Sequence, residues 1–323
     1  MTIQSINRES YDYISVIMSI YNEDPKWLRE SIQSILEQTY SHFEFIIILD
    51  NPLNTKLESI LNEYARKDSR IKLYKNVKNL GLVASLNLAL SYISGDYVAR
   101  MDADDISNHQ RLEKQLHYLK ENDLDIVGSN VEIFHDDITI GKTEYPHYMQ
   151  DIYKALAFNN VFAHPTWFVK KNIFQELNGY RNISFAEDYD FLLRARILNK
   201  KMGNIKECLL QYRLSPDSIS RTNLLEQKLT AYYLSKHCNS ILSIEKEHID
   251  DFISSWDCNQ NKKNKYSKAN YRISLAFKCR SNKNYFGYLF YLIYALITSF
   301  TFVKLVILIK YDKKKRIHNI KLK

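Results

Sequence analysis

The stretch Tyr97-Val98-Ala99-Arg100-Met101-Asp102-Ala103-Asp104-Asp105 runs from an apolar segment straight into carboxylates. An apolar run of this length, with Gly95 before it and acids after it, reads as a buried strand with a polar end. Working back from it, Leu82 to Ser94 has helical spacing, Ile71 to Lys75 reads as extended and Thr55 to Arg66 as helical. Phe43 to Leu49 is a second apolar strand, Trp27 to Gln38 carries a stripe of Leu28, Ile32, Ile35 and Leu36, and Ile14 to Ile20 is the opening strand. Strand and helix thus alternate over the first hundred residues. That pattern predicts an α/β fold: a mostly parallel sheet with helices on both faces. Such sheets bind ligands outside the carboxyl ends of their strands. Tyr21, Asn22, Asp50, Asp102 and Asp104 sit at those ends.

Downstream, the pattern predicts helices at Arg111 to Lys120, Met149 to Phe158, Tyr189 to Leu198 and Leu224 to Lys236. Strands are predicted at Ile126 to Phe134, pairing with Thr139 to Tyr145, then at Thr166 to Val169 and Glu207 to Arg213. Glu245 to Lys268 is polar and gives no clear period.

A chain of 323 residues suits one large domain with an appendage. The cysteines Cys208, Cys238, Cys258 and Cys279 have no metal-ligand spacing, so a zinc site or disulfide framework is not expected and a reducing cytoplasm fits. Arg8, Glu9 and Asp12 interrupt the start of the chain, so no apolar leader is expected there. Of the net charge of +8, the segment from Lys304 onward contributes +7, with eight basic residues and Asp312 as its sole acid. The remaining body is nearly neutral, which argues against a nucleic-acid-binding face. The basic tail calls for a local partner instead. A dehydrogenase or nucleotidyltransferase would place a glycine-rich phosphate loop after the first strand, and Tyr21-Asn22-Glu23-Asp24 is not one.

In extended backbone, residues two apart point the same way, so Asp102 and Asp104 aim at one place. Carboxylates held this close repel unless a cation lies between them. Mg2+ or Mn2+ takes such oxygen ligands and keeps room for substrate phosphates. The plainer alternative is an acidic turn in which Asp105 or Ser107 caps the following helix.

The run from Tyr97 to Ser107, with Arg111-Leu112-Glu113-Lys114-Gln115 after it, closely resembles the DxD region of family 2 glycosyltransferases. Ser15 to Glu23 resembles the family's opening strand, and Ser34 to Tyr40 with Phe43-Glu44-Phe45 resembles the family's next helix end and second strand. Asn79-Leu80-Gly81-Leu82 with Asn87, then His164-Pro165-Thr166 and Phe185-Ala186-Glu187-Asp188-Tyr189-Asp190, match further family stretches in order. The resemblance covers about residues 14 to 220.

The resemblance implies a GT-A fold, with a nucleotide-binding half at about 14–107 and an acceptor half at about 108–223. Residues 1–223 would form the catalytic domain and 224–323 a helical appendage. It implies an inverting, metal-dependent transfer of one sugar from a nucleotide diphosphate donor, most often UDP-linked, to a lipid-linked glycan of a bacterial capsule or O-antigen. Ser19, Tyr21, Asn22, Asp50, Asp102 and Arg213 would bind the donor, with Tyr21 against the base and Asp50 hydrogen-bonded to it. Asp102 and Asp104 would hold Mn2+ or Mg2+. Asp188 would be the general base, with Glu187 beside it.

For several of these residues a plainer role stays open. Tyr21 could be a core aromatic and Asp50 a turn residue before Asn51-Pro52. Glu187 and Asp188 could be acids favoured by a helix dipole, His164 a satisfied structural histidine rather than a phosphate or acceptor contact, and Arg213 a surface arginine. A non-catalytic nucleotide-sugar-binding or scaffold protein at the membrane is the alternative reading of the whole. Leu49, Asn51-Pro52, Leu86, His109 and Ser215 depart from common family residues, which leaves the donor open. Gln211-Tyr212-Arg213 lacks the tryptophan of processive relatives, so a single addition is expected.

Residues 284–303 hold no charge and are rich in Tyr, Phe, Leu and Ile. Their length is close to a bilayer span. Lys278, Arg280 and Lys283 precede them and the basic tail 304–323 comes after, so both flanks favour the cytoplasmic side. A single span cannot satisfy both. An interfacial or re-entrant helix on anionic lipid can, at the cytoplasmic face of the bacterial inner membrane. A core helix packed on the catalytic domain is the alternative.

Overall fold

The computed structural model describes residues 12–135, 138–214 and 223–321, with side chains as far as Lys314. Arg8, Glu9, Ser215, Lys323 and the side chains of Lys315, Arg316 and Lys321 lie outside the described residues. The chain divides into two compact units.

The first unit takes in Met1–Tyr153, Val161–Arg181 and Leu198–Leu214. Its opening elements are β1 (Ile14–Ile20), α1 (Pro25–Leu36), β2 (Phe43–Leu49), α2 (Thr55–Lys67), β3 (Ile71–Lys75), α3 (Leu82–Ser91) and β4 (Tyr97–Arg100). Next come β5 (Ile106–Ser107), α4 (Arg111–Glu121), β6 (Ile126–His135), β7 (Ile138–Lys142) and α5 (Met149–Leu156), and β8 (Phe168–Lys170), α6 (Lys171–Glu176) and β9 (Met202–Arg213) complete the sheet region. The strand order is β3-β2-β1-β4-β8-β6-β9-β5, with β7 on β6.

β1 lies parallel to both β2 and β4, and β2 is parallel to β3. Every residue of β2 is buried, which suits a continuous apolar run covered on both faces. The chain winds outward from β1 through β2 to β3, then crosses back to lay β4 on the other side of β1. Right-handed crossovers therefore put α1 and α2 on one face and α3 on the other. Beyond β4 the sheet is mixed: β8 runs antiparallel to β4 and β6, β6 is parallel to β9, and β5 is antiparallel to β9.

Boundaries differ from the sequence pattern where side chains take over backbone groups. α1 starts at Pro25 rather than Trp27, because the Asp24 carboxylate accepts from the N–H groups of Lys26 (2.7 Å) and Trp27 (3.4 Å), and Pro25 needs no partner in the first turn. α3 stops at Ser91 rather than Ser94, whose N–H instead donates to Glu44 at 2.6 Å. β9 begins at Met202, because its parallel pairing with β6 already starts at Ile126 opposite Met202.

The second unit takes in Lys154–Asn160, Asn182–Ile197 and Ser215–Lys323. It holds α7 (Glu187–Ile197), α8 (Leu224–Lys236), α9 (Lys246–Ser254), α10 (Gln260–Ser281), α11 (Tyr285–Thr298) and α12 (Phe300–Lys321). The polar stretch without a period becomes α9 and the start of α10. Capping explains this: Glu245 and His248 form a reciprocal box, and Asn259 accepts from the Lys262 N–H at 3.0 Å. Leu225, Leu229, Tyr232, Trp256, Tyr266, Ala269, Ala295, Phe302 and Leu305 form a core separate from that of the sheet. Residues 284–303 are not one helix. No single helix among the described residues is long and apolar enough to cross a membrane, and α11 and α12 meet at a bend of 104°.

Candidate active site

The strand order reverses between β1 and β4, and the carboxyl ends of strands at such a reversal are the place where sheets of this kind bind ligands. Tyr21 to Glu23 follow the end of β1 there, and Asp102 to Asp105 follow the end of β4. One carboxylate oxygen each of Asp102, Asp104 and Asp105 lie within 4.8 Å of one another, forming the sole group of this kind among the described residues.

The loop is held from behind. Asp102 is ion-paired to the buried guanidinium of Arg100, and its backbone carbonyl accepts from Ser31 Oγ at 2.8 Å. Arg213 donates from its backbone N–H to Asp105 Oδ1 (2.8 Å), from Nε to the Asp104 carbonyl (2.8 Å) and from Nη2 to Glu30 (2.6 Å). Its guanidinium lies 5.0 Å from the Trp27 ring centre and 4.4 Å from that of Phe134. Arg213 is thus buried rather than a surface residue, and it fixes the acidic loop. Arg111, fully buried, donates to the carbonyls of Arg100 (3.0 Å) and Pro165 (2.9 Å) and to Ser107 Oγ (2.8 Å).

Asp105 Oδ2 is buried and has no hydrogen-bond partner. An orphaned oxygen on a carboxylate clustered with two others is what a cation would satisfy. Burial, and then the charge of Asp102, push the Asp104 carboxyl up to about 6. Burial and the charges of Asp104 and Asp102 raise Asp105 well above the usual carboxylate range. Glu23 joins them: burial foremost, with Asp104 and Asp102 adding, lifts it to about 7. The helix-capping reading of Asp105 and Ser107 does not hold, since α4 is preceded by Gln110 and has no side-chain cap.

The other predicted donor residues divide. Tyr21 is 43% exposed, not a core aromatic, and its N–H donates to Glu23 at 2.8 Å. Asn22 Oδ1 accepts from Asn51 (2.6 Å) and Asn54 (3.2 Å), tying the β1 and β2 loops together. Ser19 lies in β1 opposite Ile48. Asp50 is buried and accepts from Asn76 Nδ2 (2.7 Å) and from the N–H groups of Leu80 and Gly81 (2.8 Å each). Its carboxylate pins the Asn79-Leu80-Gly81 turn, where Gly81 takes the left-handed φ of +84° that glycine tolerates.

His164 Nε2 lies 2.9 Å from the Tyr180 hydroxyl, and its ring packs edge-on against Trp167. Burial, with the charge of Arg100, keeps the imidazole well below its usual range and therefore neutral. Asn87 grips the Tyr180 backbone at both N–H (2.9 Å) and carbonyl (2.8 Å). The structure thus accounts for His164 as a satisfied structural histidine.

In the second unit, Asp188 is the second residue of α7 and is half-buried. Its Oδ2 accepts from Asn160 (2.7 Å) and its Oδ1 from the Tyr189 N–H (2.6 Å). Glu187 is buried. Asp190 is fully buried and ion-paired to Arg194 at 2.8 Å, which separates it from its neighbour.

Sequence reasoning assigned no role to Arg100, Arg111, Glu23 or Glu30. Arg100 had a signal: a cation inside an apolar strand, two residues before Asp102 and so on its side. Glu30 had none, because its partner Arg213 is far away in sequence.

A doubly wound sheet with an acidic loop at its switch point is the plan of a GT-A glycosyltransferase. The structure is similar to Staphylococcus aureus TarS residues 1–349 in complex with UDP-GlcNAc (TM-score 0.57, 14% identity, 88% of this chain and 92% of that one). It is also similar to the Pyrobaculum calidifontis mannosyltransferase PcManGT in complex with GDP-Man and Mn2+ (TM-score 0.56, 14% identity, 88% and 86%). Residues 15–200 match the family described as Glycosyl transferase family 2, and the chain belongs to that family. It is 40% identical over 226 residues to an uncharacterized glycosyltransferase of Methanocaldococcus jannaschii, covering 69% of this chain and 78% of that one. To the Escherichia coli O-antigen biosynthesis glycosyltransferase WbnJ it is 36% identical over 249 residues, covering 75% and 93%. A further relative, at 33% over 213 residues (64% and 76%), is the E. coli UDP-Gal:alpha-D-GlcNAc-diphosphoundecaprenol beta-1,3-galactosyltransferase. The chain is a glycosyltransferase with relatives in polysaccharide biosynthesis.

Proposed function

We propose that this chain transfers one sugar, with inversion, from a UDP-sugar to a lipid-linked oligosaccharide during assembly of a bacterial surface polysaccharide, at the cytoplasmic face of the inner membrane. The observation that carries this reading is the convergence of Asp102, Asp104 and Asp105 at the switch point, with Asp105 Oδ2 unpartnered. The UDP-sugar donor and the diphosphoundecaprenol-linked acceptor are supported by the names of relatives and structural neighbours.

Asp102 and Asp104 would hold Mn2+ or Mg2+, with Asp105 clustered beside them. When bound, the ion supplies positive charge against the departing diphosphate. Arg213 serves the donor by fixing the loop through Asp104 and Asp105, so it is a positioning residue. Tyr21 offers its exposed ring to the nucleotide base, with Ser19, Asn22 and Asp50 shaping the strand ends around it. The acceptor hydroxyl oxygen attacks the anomeric carbon, the bond to the diphosphate oxygen breaks with its electron pair, and the hydroxyl proton passes to the Asp188 carboxylate. Asn160 and the Tyr189 N–H orient that carboxylate. A single displacement inverts the anomeric centre.

The test is transfer from UDP-, dTDP- and GDP-sugars onto lipid-linked acceptors of a membrane extract, with the product anomer read by NMR. One added sugar of inverted configuration is expected. Retained configuration would overturn the single displacement, and a ladder of products would overturn the single addition.

A further inference from the structure

Within the second unit, α11 is built the wrong way out for water. Its side facing α10 is made of small residues: Gly287 and Ala295 are buried, and a Cβ on Gly287 would stand 2.9 Å from Cys279 Sγ. Its opposite side carries Phe286 (84% exposed), Leu289, Phe290, Ile293 and Ile297 (75%), and Phe300 (81%) comes just past the bend. At about 100° per residue, positions 286, 289, 290, 293 and 297 fall within an arc of roughly 100°. They form one continuous apolar stripe. A contiguous exposed patch of this kind marks a docking surface rather than a solvated face.

Charge identifies what docks. Between Asp257 and Asp312 the chain has ten Lys or Arg residues and no acid. Lys278, Arg280 and Lys283 stand before the stripe, Lys304 and Lys310 after it, and all are exposed. An apolar stripe framed by cations alone complements an anionic lipid surface: the stripe enters the acyl boundary and the cations meet the headgroups. α11 has 14 residues, a length of about 21 Å against the roughly 30 Å of a bilayer core, and the chain turns by 104° at its end. Both features suit a helix lying in the membrane plane. We infer that α11, with the start of α12 and the flanking cations, is an in-plane binding face for an anionic bilayer. This binding is independent of the transfer reaction.

The experiment is flotation of the purified full chain with vesicles of phosphatidylcholine alone or mixed with phosphatidylglycerol. The protein is expected to float with the mixed vesicles and much less with the neutral ones. Lys278→Gln, Lys283→Gln and Lys310→Gln together should weaken binding about 100-fold at low salt, since each juxtamembrane cation contributes about fivefold. Phe286→Ser, Phe290→Ser and Ile297→Ser together should abolish binding to both compositions, while thermal melting and nucleotide binding stay at wild-type values. Wild-type protein that fails to float, or floats equally with neutral vesicles, would overturn the inference. So would floating that survives the serine substitutions. Sedimentation velocity supplies the last arm: a vesicle-indifferent protein whose self-association those serines dissolve would make the stripe an interface between copies.

Discussion

Asp104→Asn should stabilise the metal-free protein at neutral pH. The Asp104 carboxyl is raised from 3.8 to about 6, by burial first and by Asp102 second. An acid whose folded value is raised favours folding below its unfolded value, and that advantage is lost as pH rises through the folded one. Above pH 6 the folded state therefore carries a cost of up to about 3 kcal/mol, nearer 1–2 kcal/mol once partial solvation of the cluster is allowed for. Asparagine has nearly the same shape and no charge to confine. In EDTA at pH 7 the variant should gain about 1–2 kcal/mol, a rise in Tm of about 2–5 °C, and at pH 4 it should gain nothing. Mn2+ should reverse the order, because binding to the native state stabilises only a protein that keeps the ligand set. Melts of both proteins at two pH values, with EDTA and with Mn2+, read all of this. A variant that melts lower than wild type in EDTA at pH 7, or gains as much from Mn2+, would refute the reasoning.

Asp188→Asn should abolish transfer and leave donor affinity, measured by calorimetry, nearly unchanged; loss of donor affinity would remove Asp188 from the base role. Arg213→Ala should cost about 3–5 kcal/mol in urea unfolding, since it breaks the bonds to Asp104 and Glu30 inside a buried setting. A cost below 1 kcal/mol would make the loop self-supporting. His164 is held neutral, so folding disfavours its protonation and its contribution to stability falls as pH drops below about 6.5. The stability difference between wild type and His164→Gln should shrink from pH 6.5 to 5.5, and an unchanged difference would contradict it.

The first half of the fold was legible because β1, β2 and β4 are buried almost throughout and α1 and α2 each bury one apolar stripe, so period alone separates them. Beyond β4 the reading weakened. β5 is two residues long and exists through pairing with β9, a long-range contact that no local pattern carries. The acidic loop was legible as a cluster because Asp102, Asp104 and Asp105 follow directly on an apolar strand, although Ala103 and Asp104 form a turn and not the extended backbone expected. The groups that hold the loop were not: Arg213 meets it from β9, Glu30 of α1 holds the Arg213 guanidinium, and Arg111 of α4 bonds the Arg100 carbonyl just before it. Asp50 shows another limit. Its place at a strand end was legible, but the three bonds its carboxylate accepts from Asn76, Leu80 and Gly81 were not, since they depend on a turn some thirty residues on. The inverted face of α11 was hidden because a uniformly apolar segment carries no sign of which side faces out.

The most direct test of the account is nucleotide release from UDP-, dTDP- and GDP-sugars in the presence of acceptor extract, run with Mn2+ and then with EDTA, on wild type and Asp104→Ala. The account predicts release from one donor, stopped by EDTA and absent in the variant. Release that persists in EDTA, or at the wild-type rate in Asp104→Ala, would contradict the role given to the Asp102–Asp105 cluster.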